Sequence, residues 1–134
     1  MAKLTVIEGI ADALAAKLKN AGVESTSALL KKGGTRKGRQ ALAAAAGIDE
    51  GRILKFVNHA DLMRIKGVGS EYSELLEAAG VDSVVELKAR KPENLHAALV
   101  DANARKKLVR QLPSAKQVAG WVAQARVLPR AVSH

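Results

Sequence analysis

The run Ile65-Lys66-Gly67-Val68-Gly69-Ser70 is the part of this chain whose residue types and spacing best suit a chemical task. Gly67 and Gly69 flank one apolar residue just ahead of a helical pattern, and glycine lets a turn tighten and approach a ligand closely. The helix that starts near Ser70 leaves its first amides without an intrahelical acceptor. Those amides and the positive end of the helix dipole make a phosphate-sized anion site. Such contacts ignore base identity, so the expected binding is independent of sequence, with Lys66 adding charge. Ile7-Glu8-Gly9-Ile10-Ala11 has the same form, with Ala11 where the second glycine belongs and Glu8 in place of Lys66. It is the weaker candidate. The competing explanation for both runs is a tight connection between packed helices, with Ile7, Ile10, Ile65 and Val68 as core plugs. Glu71, Glu74 and Glu77 form an acidic stripe after the second run and oppose a phosphate there.

The densest basic run is Lys31-Lys32-Gly33-Gly34-Thr35-Arg36-Lys37-Gly38-Arg39. It lacks the order of a nucleotide-binding P-loop and has no preceding strand. Gly33 or Gly34 can end one helix and Thr35 can cap the next, which would set Arg36, Lys37 and Arg39 at a positive helix end. Lys32, Arg36, Lys37 and Arg39 are therefore candidate backbone-tracking cations, against the plainer reading of a solvated basic turn. Arg105-Lys106-Lys107 with Arg110 one turn later is a second patch of the same kind.

Composition narrows the classes of function. The 134 residues carry a net charge of +9, which favours polyanionic partners. Cysteine is absent, so disulfides and thiolate metal sites are excluded. His59, His96 and His134 show no metal-ligand spacing, and neither a nucleophile motif nor an acidic metal-binding run occurs, so a non-enzymatic protein without a metal is expected. Phe56, Tyr72 and Trp121 are too scattered to stack single-stranded bases, which leaves the duplex backbone as the expected nucleic-acid target. Phe56 and Trp121 sit among apolar neighbours and read as core. No signal-like or membrane-spanning apolar run occurs, so the expected setting is cytoplasmic with no membrane partner.

Elements that position these residues follow from an internal repeat. Shifting the sequence by 58 aligns Ile7-Glu8-Gly9-Ile10 with Ile65-Lys66-Gly67-Val68, and Ala21-Gly22-Val23-Glu24-Ser25 with Ala79-Gly80-Val81-Asp82-Ser83. Gly22 and Gly80 fall where a left-handed residue closes a helix. Further helix starts are marked by Ser25 or Thr26, Thr35, Asp49, Ser83, Pro92 and Ser114. A helix from Asp49 to Asp61 should turn Ile53, Leu54 and Val57 inward. The expected fold is all-α, with units at 1–60 and 61–134 packed as one domain of short helices.

The h-x-G-h-G pattern at residues 65–69 resembles the helix-hairpin-helix family. A larger resemblance is to the bacterial domain of unknown function 4332 family, from about Ile7 to Leu128. It is carried by Thr35-x-x-Gly38-Arg39, Asn58-His59-Ala60-Asp61-Leu62-Met63-Arg64 running into the glycine turn, Tyr72-x-x-Leu75-Leu76-x-x-Ala79-Gly80-Val81, Pro92-x-x-Leu95 and Pro113 to Trp121. The resemblance implies tandem helix-hairpin-helix units and either non-specific binding of double-stranded DNA or an accessory role. It also implies that a monovalent cation can bridge the Gly67 to Gly69 hairpin and a phosphate. A protein-interaction scaffold is the alternative function, because a fold does not dictate one. The expected contact residues are Lys66, Gly67, Val68, Gly69 and Ser70, then Gly9, Ile10 and Ala11, and the basic residues of 31–39.

Overall fold

Most helices begin where a side-chain oxygen can take an otherwise unpaired amide. In the computed structural model, which describes residues 3–134, the Ser25 hydroxyl accepts from the Ala28 amide (3.1 Å) where the second helix begins. A single 3-10 turn at Leu4–Val6 precedes α1 (Asp12–Asn20), α2 (Thr26–Gly33), α3 (Arg36–Ala46) and α4 (Glu50–Leu62). There follow α5 (Ser70–Ala78), α6 (Val84–Lys88), α7 (Pro92–Lys106) and α8 (Ala115–Val127). The chain is all-α: no strand occurs among the described residues, only one isolated antiparallel bridge between Lys3 and Ser25.

Thr35 caps α3 through the Gly38 amide (3.0 Å), Asp49 meets the Arg52 amide of α4 (3.3 Å), and Ser83 caps α6 through Glu86 (3.3 Å). Ser114 and Gln117 close a reciprocal capping box on α8, and Pro92 takes the first position of α7. Three helices lack a side-chain cap bond: α1 after Ala11, α5 after Gly69 and α7 after Lys91.

The repeat recurs as backbone. Gly9 and Gly67 have φ of 93° and 95°, and the Ile10 and Val68 amides each donate three residues back, to the carbonyls of Ile7 and Ile65, at 3.1 Å. Gly22 and Gly80 have φ of 89° and 92°, followed by Val23 donating to Leu18 (2.8 Å) and Val81 to Leu76 (2.9 Å). The copies then diverge in length, α2 outlasting α6.

Contacts divide the chain into one unit that ends at Asp61 and recovers Ala131–His134, and a second, Leu62–Arg130. The sequence reading placed 131–134 with the second unit. They return to the first because their backbone and Val132 are bonded and buried there.

In the first unit α3 packs on α1 and α2, over a core that includes Ile7, Leu18, Leu29, Ile53 and Val57. The basic run lies at the α2–α3 turn, and its glycines serve packing. A Cβ on Gly33 would stand 2.6 Å from Val57 Cγ2, one on Gly34 would stand 2.5 Å from the Ala131 carbonyl oxygen, and one on Gly38 would collide with the Lys32 carbonyl.

In the second unit α8 packs against α6 and α7, and α5 against α7. Trp121 is buried among Leu62, Val68, Leu75 and Leu76 in that core, its ring 5.2 Å from Tyr72. Phe56 is likewise buried, in the first unit. At the start of α6 the exposed Glu86 carboxyl is pushed up to about 7, first by its hydrogen bond with the Asp82 side chain, then by partial burial and the Asp82 charge. A carboxyl raised on folding adds stability that is complete below its unfolded value and is lost as pH climbs through the folded one.

Two stability measurements check this account. Gly38→Ala should lower the urea-unfolding free energy by about 1 to 3 kcal/mol, since a backbone carbonyl must move to admit the methyl. Thermal midpoints should fall between about pH 4.5 and pH 7, and Glu86→Gln should flatten that fall; an unchanged slope would remove the Asp82–Glu86 pair as its source.

Candidate functional site

The second hairpin turn, residues 63–69 between α4 and α5, is anchored from below and open above. Ile65 and Val68 are 1% and 5% exposed, so both plug the core of their unit. The Lys66 backbone is bracketed by one side chain: its amide donates to Gln124 Oε1 (2.8 Å), and Gln124 Nε2 donates to its carbonyl (3.2 Å). Gly67 lies against Trp121, where a Cβ would sit 3.2 Å from the indole Nε1.

With those groups engaged, the amides of Gly67, Gly69, Ser70, Glu71 and Tyr72 meet no acceptor among the described residues. The last three are the first three amides of α5, carrying the positive end of its dipole. Gly67, Gly69, Ser70, Glu71 and Tyr72 line an open depression of about 520 Å³ together with Arg110 and Gln111. The Tyr72 hydroxyl donates to the Gln111 carbonyl (3.0 Å), which ties the 107–114 loop to α5 and brings Arg110 to the rim. Arg110 is exposed, and no ion pair engages it among the described residues. Glu71 lines the same depression with a carboxylate, so the site has donors, one cation and one opposing charge.

The expected residues fall into different places. Lys66 is exposed on the turn but does not line the depression. Val68 is a plug, and its amide is already given to Ile65, so it offers a ligand nothing directly. Only Gly67 has a backbone closed to other residues; Gly69 is extended (φ −105°, ψ −160°), as is Ala11 (φ −91°, ψ 179°). Alanine at position 11 therefore leaves the first turn's backbone unchanged. Charge separates the two turns: Gly9 and Ile10 repeat Gly67 and Val68, yet Glu8 and Asp12 stand where Lys66 and Ser70 stand in the second. Ile10 is a buried plug with its amide given to Ile7.

The basic run of 31–39 is corrected at one position. Arg39 is 3% exposed; Nη1 donates to the carbonyls of Gly33 (2.9 Å) and Gly34 (3.1 Å), and Nη2 to that of Ser133 (2.8 Å). Burial pulls its guanidinium below the ordinary value. It clamps backbone and is closed to phosphate. Lys32, Arg36 and Lys37 are exposed, though Lys32 Nζ lies over Gly22 at the C-terminal end of α1, 2.5 Å from where a Cβ would be. In the other basic patch Arg105 pairs with Asp101 (3.2 Å), and α7 ends at Lys106 with Lys107 left-handed (φ 52°), so Arg110 belongs to the loop and not to a further helical turn.

The sequence groups Arg110 with Arg105 to Lys107, and nothing in it singles out Gln124. Tyr72 bonds to the loop that delivers Arg110, and Pro113 lies within it. Among the described residues no group of three or more His, Asp or Glu is placed to hold a metal, and no helix is long and apolar enough to cross a membrane. Comparison with known proteins gives a match over residues 8–128 to the family described as Domain of unknown function (DUF4332), and the chain belongs to that family. No curated protein and no solved structure matches the chain.

The two glycines of the turn should separate in a denaturation experiment. Gly67→Ala forces a side chain into a left-handed backbone beside Trp121 and should cost roughly 2 kcal/mol. Gly69→Ala, with extended backbone and open space, should cost less than about 1 kcal/mol. The reverse order would mean that the turn is not held as described.

Proposed function

We propose that this member of the DUF4332 family is a non-enzymatic, cytoplasmic helix-hairpin-helix module that binds double-stranded DNA through phosphate, without regard to sequence. The observation that carries the reading is the set of unpartnered amides of Gly67, Gly69, Ser70, Glu71 and Tyr72, residues that line an open depression together with Arg110. A phosphate oxygen placed there would take charge-assisted hydrogen bonds from backbone, with Arg110 and Lys66 supplying the long-range attraction. The chain's net charge of +9 acts in the same direction. Gly9, Ile10 and Ala11 repeat the turn with carboxylates beside it, and so contribute little to binding.

A monovalent cation at the Gly67 to Gly69 hairpin belongs to the same proposal. The carbonyls of Ile65, Lys66 and Gly69 already accept bonds within the chain, whereas those of Gly67 and Val68 accept none among the described residues. Those two oxygens fit a cation shared with a phosphate. The alternative, a protein-interaction scaffold, draws its support from the Glu71 carboxylate in the depression, which repels DNA and suits a basic partner.

Fluorescence anisotropy against a random-sequence duplex, a matched single strand and heparin, each over a salt series, tests the reading. The duplex should bind best, with a log–log salt slope of roughly two to four, at about 0.9 per phosphate. Arg110→Glu should lower the slope by about 1 and weaken binding roughly ten-fold, while Glu71→Gln should tighten it. Equal or better heparin binding, or loss only when Lys32→Glu and Arg36→Glu are combined, would replace the hairpin with diffuse electrostatics. No binding at modest salt would favour the scaffold.

A further inference from the structure

An indole N–H can only donate, and when buried it ordinarily finds an acceptor. Trp121, the single tryptophan of the chain, does not follow that rule. It is 3% exposed, yet its Nε1–H bonds to nothing among the described residues, and the nitrogen is not sealed from solvent. The ring belongs to the core of the second unit, with Tyr72 tilted against it at 52°, so packing fixes where the N–H lies. That place is the second glycine turn. A Cβ on Gly67 would stand 3.2 Å from Nε1, so the missing side chain leaves the N–H uncovered. Gly67 itself is exposed and lines the depression that Arg110 borders. Three residues further along α8, Gln124 brackets the Lys66 backbone, so two side chains of α8 serve the same turn. Gln124 commits its oxygen and its nitrogen there, while Trp121 keeps its donor.

The first unit supplies an internal comparison. A Cβ on Gly9 would stand 3.3 Å from Phe56 Cε1, so an aromatic ring lies against the corresponding glycine, but that ring is hydrocarbon and offers no donor. The donor accompanies the turn flanked by Lys66 and Arg110, and the hydrocarbon accompanies the turn flanked by Glu8 and Asp12. We propose that the Trp121 indole N–H is a ligand-binding donor of the second turn and takes an oxygen of the phosphate group bound there. This role rests on the turn being a phosphate site, and it adds a neutral side-chain donor to a set made of backbone amides and cations. Gly67 then meets two demands with one residue, a left-handed backbone (φ 95°) and an open path to the indole.

With one tryptophan, the indole N–H gives a single resonance in the nitrogen-15 spectrum of the unaltered chain. Saturation with the random-sequence duplex, binding being followed in parallel by anisotropy, should slow exchange of that proton with water about ten-fold or more. Trp121→benzothienylalanine keeps the shape of the ring and puts sulfur in place of the N–H. It should weaken duplex binding roughly two- to ten-fold, the worth of one hydrogen bond. A neutral donor releases no counterion, so the salt slope should stay unchanged, in contrast to the fall expected of Arg110→Glu. Because the exchange measurement uses the unaltered chain, it does not depend on a variant that folds. Duplex binding that leaves the indole proton unprotected, or a sulfur variant that binds as tightly as the parent, would overturn the indole's role while leaving the phosphate site standing. No duplex binding at all would overturn both.

Discussion

Ile65 and Val68 are fixed in the core three residues apart, and the chain between them must turn within that span. Gly67 meets the requirement with a left-handed backbone, and Gln124 holds Lys66 from the side. What remains unpaired in the turn itself among the described residues is backbone: the amides of Gly67 and of Gly69 to Tyr72, and the carbonyls of Gly67 and Val68. The open face of the site is a by-product of how tightly its underside is held. The same geometry at Ile7, Gly9 and Ile10 shows that the turn is a structural unit first. The side chains set beside it, Glu8 and Asp12 in one copy and Lys66 and Arg110 in the other, give the two turns different surfaces.

Charge in this chain divides along the same line between holding and presenting. Arg39 lies in the densest basic run, yet its guanidinium is enclosed and bonded to three carbonyls. Gly33, Gly34 and Gly38 allow that enclosure by letting backbone and Val57 approach where any side chain would interfere. A run that looks like a flexible cationic loop is a packed junction with Arg36 and Lys37 left on its surface. Arg110, from the other basic patch, is the cation that lines the depression at the second turn.

Local signals were the legible ones. Ser25, Thr35, Asp49, Ser83 and Ser114 cap the helices they precede, because a cap bond spans three residues and depends on little else. The positive φ of Gly22 and Gly80 follows for the same reason. Gly69 does not need to be glycine for its backbone, because its neighbour Gly67 carries the whole conformational demand. Arg39 and Arg110 were beyond sequence reasoning: the first meets a carbonyl 94 residues away, and the second reaches its place through a Tyr72 bond spanning 39 residues. No periodicity encodes contacts of that range.

The bond between Ser133 and Gly34 spans 99 residues, while the second unit is one unbroken stretch of chain. During synthesis the second unit can close as soon as α8 has left the ribosome. The first unit, although translated first, waits for residues 131–134 before Arg39 has its last acceptor. Completion of the two units thus runs against the order of translation: the earliest-made helices gain this last buried contact only after the chain of the second unit is finished.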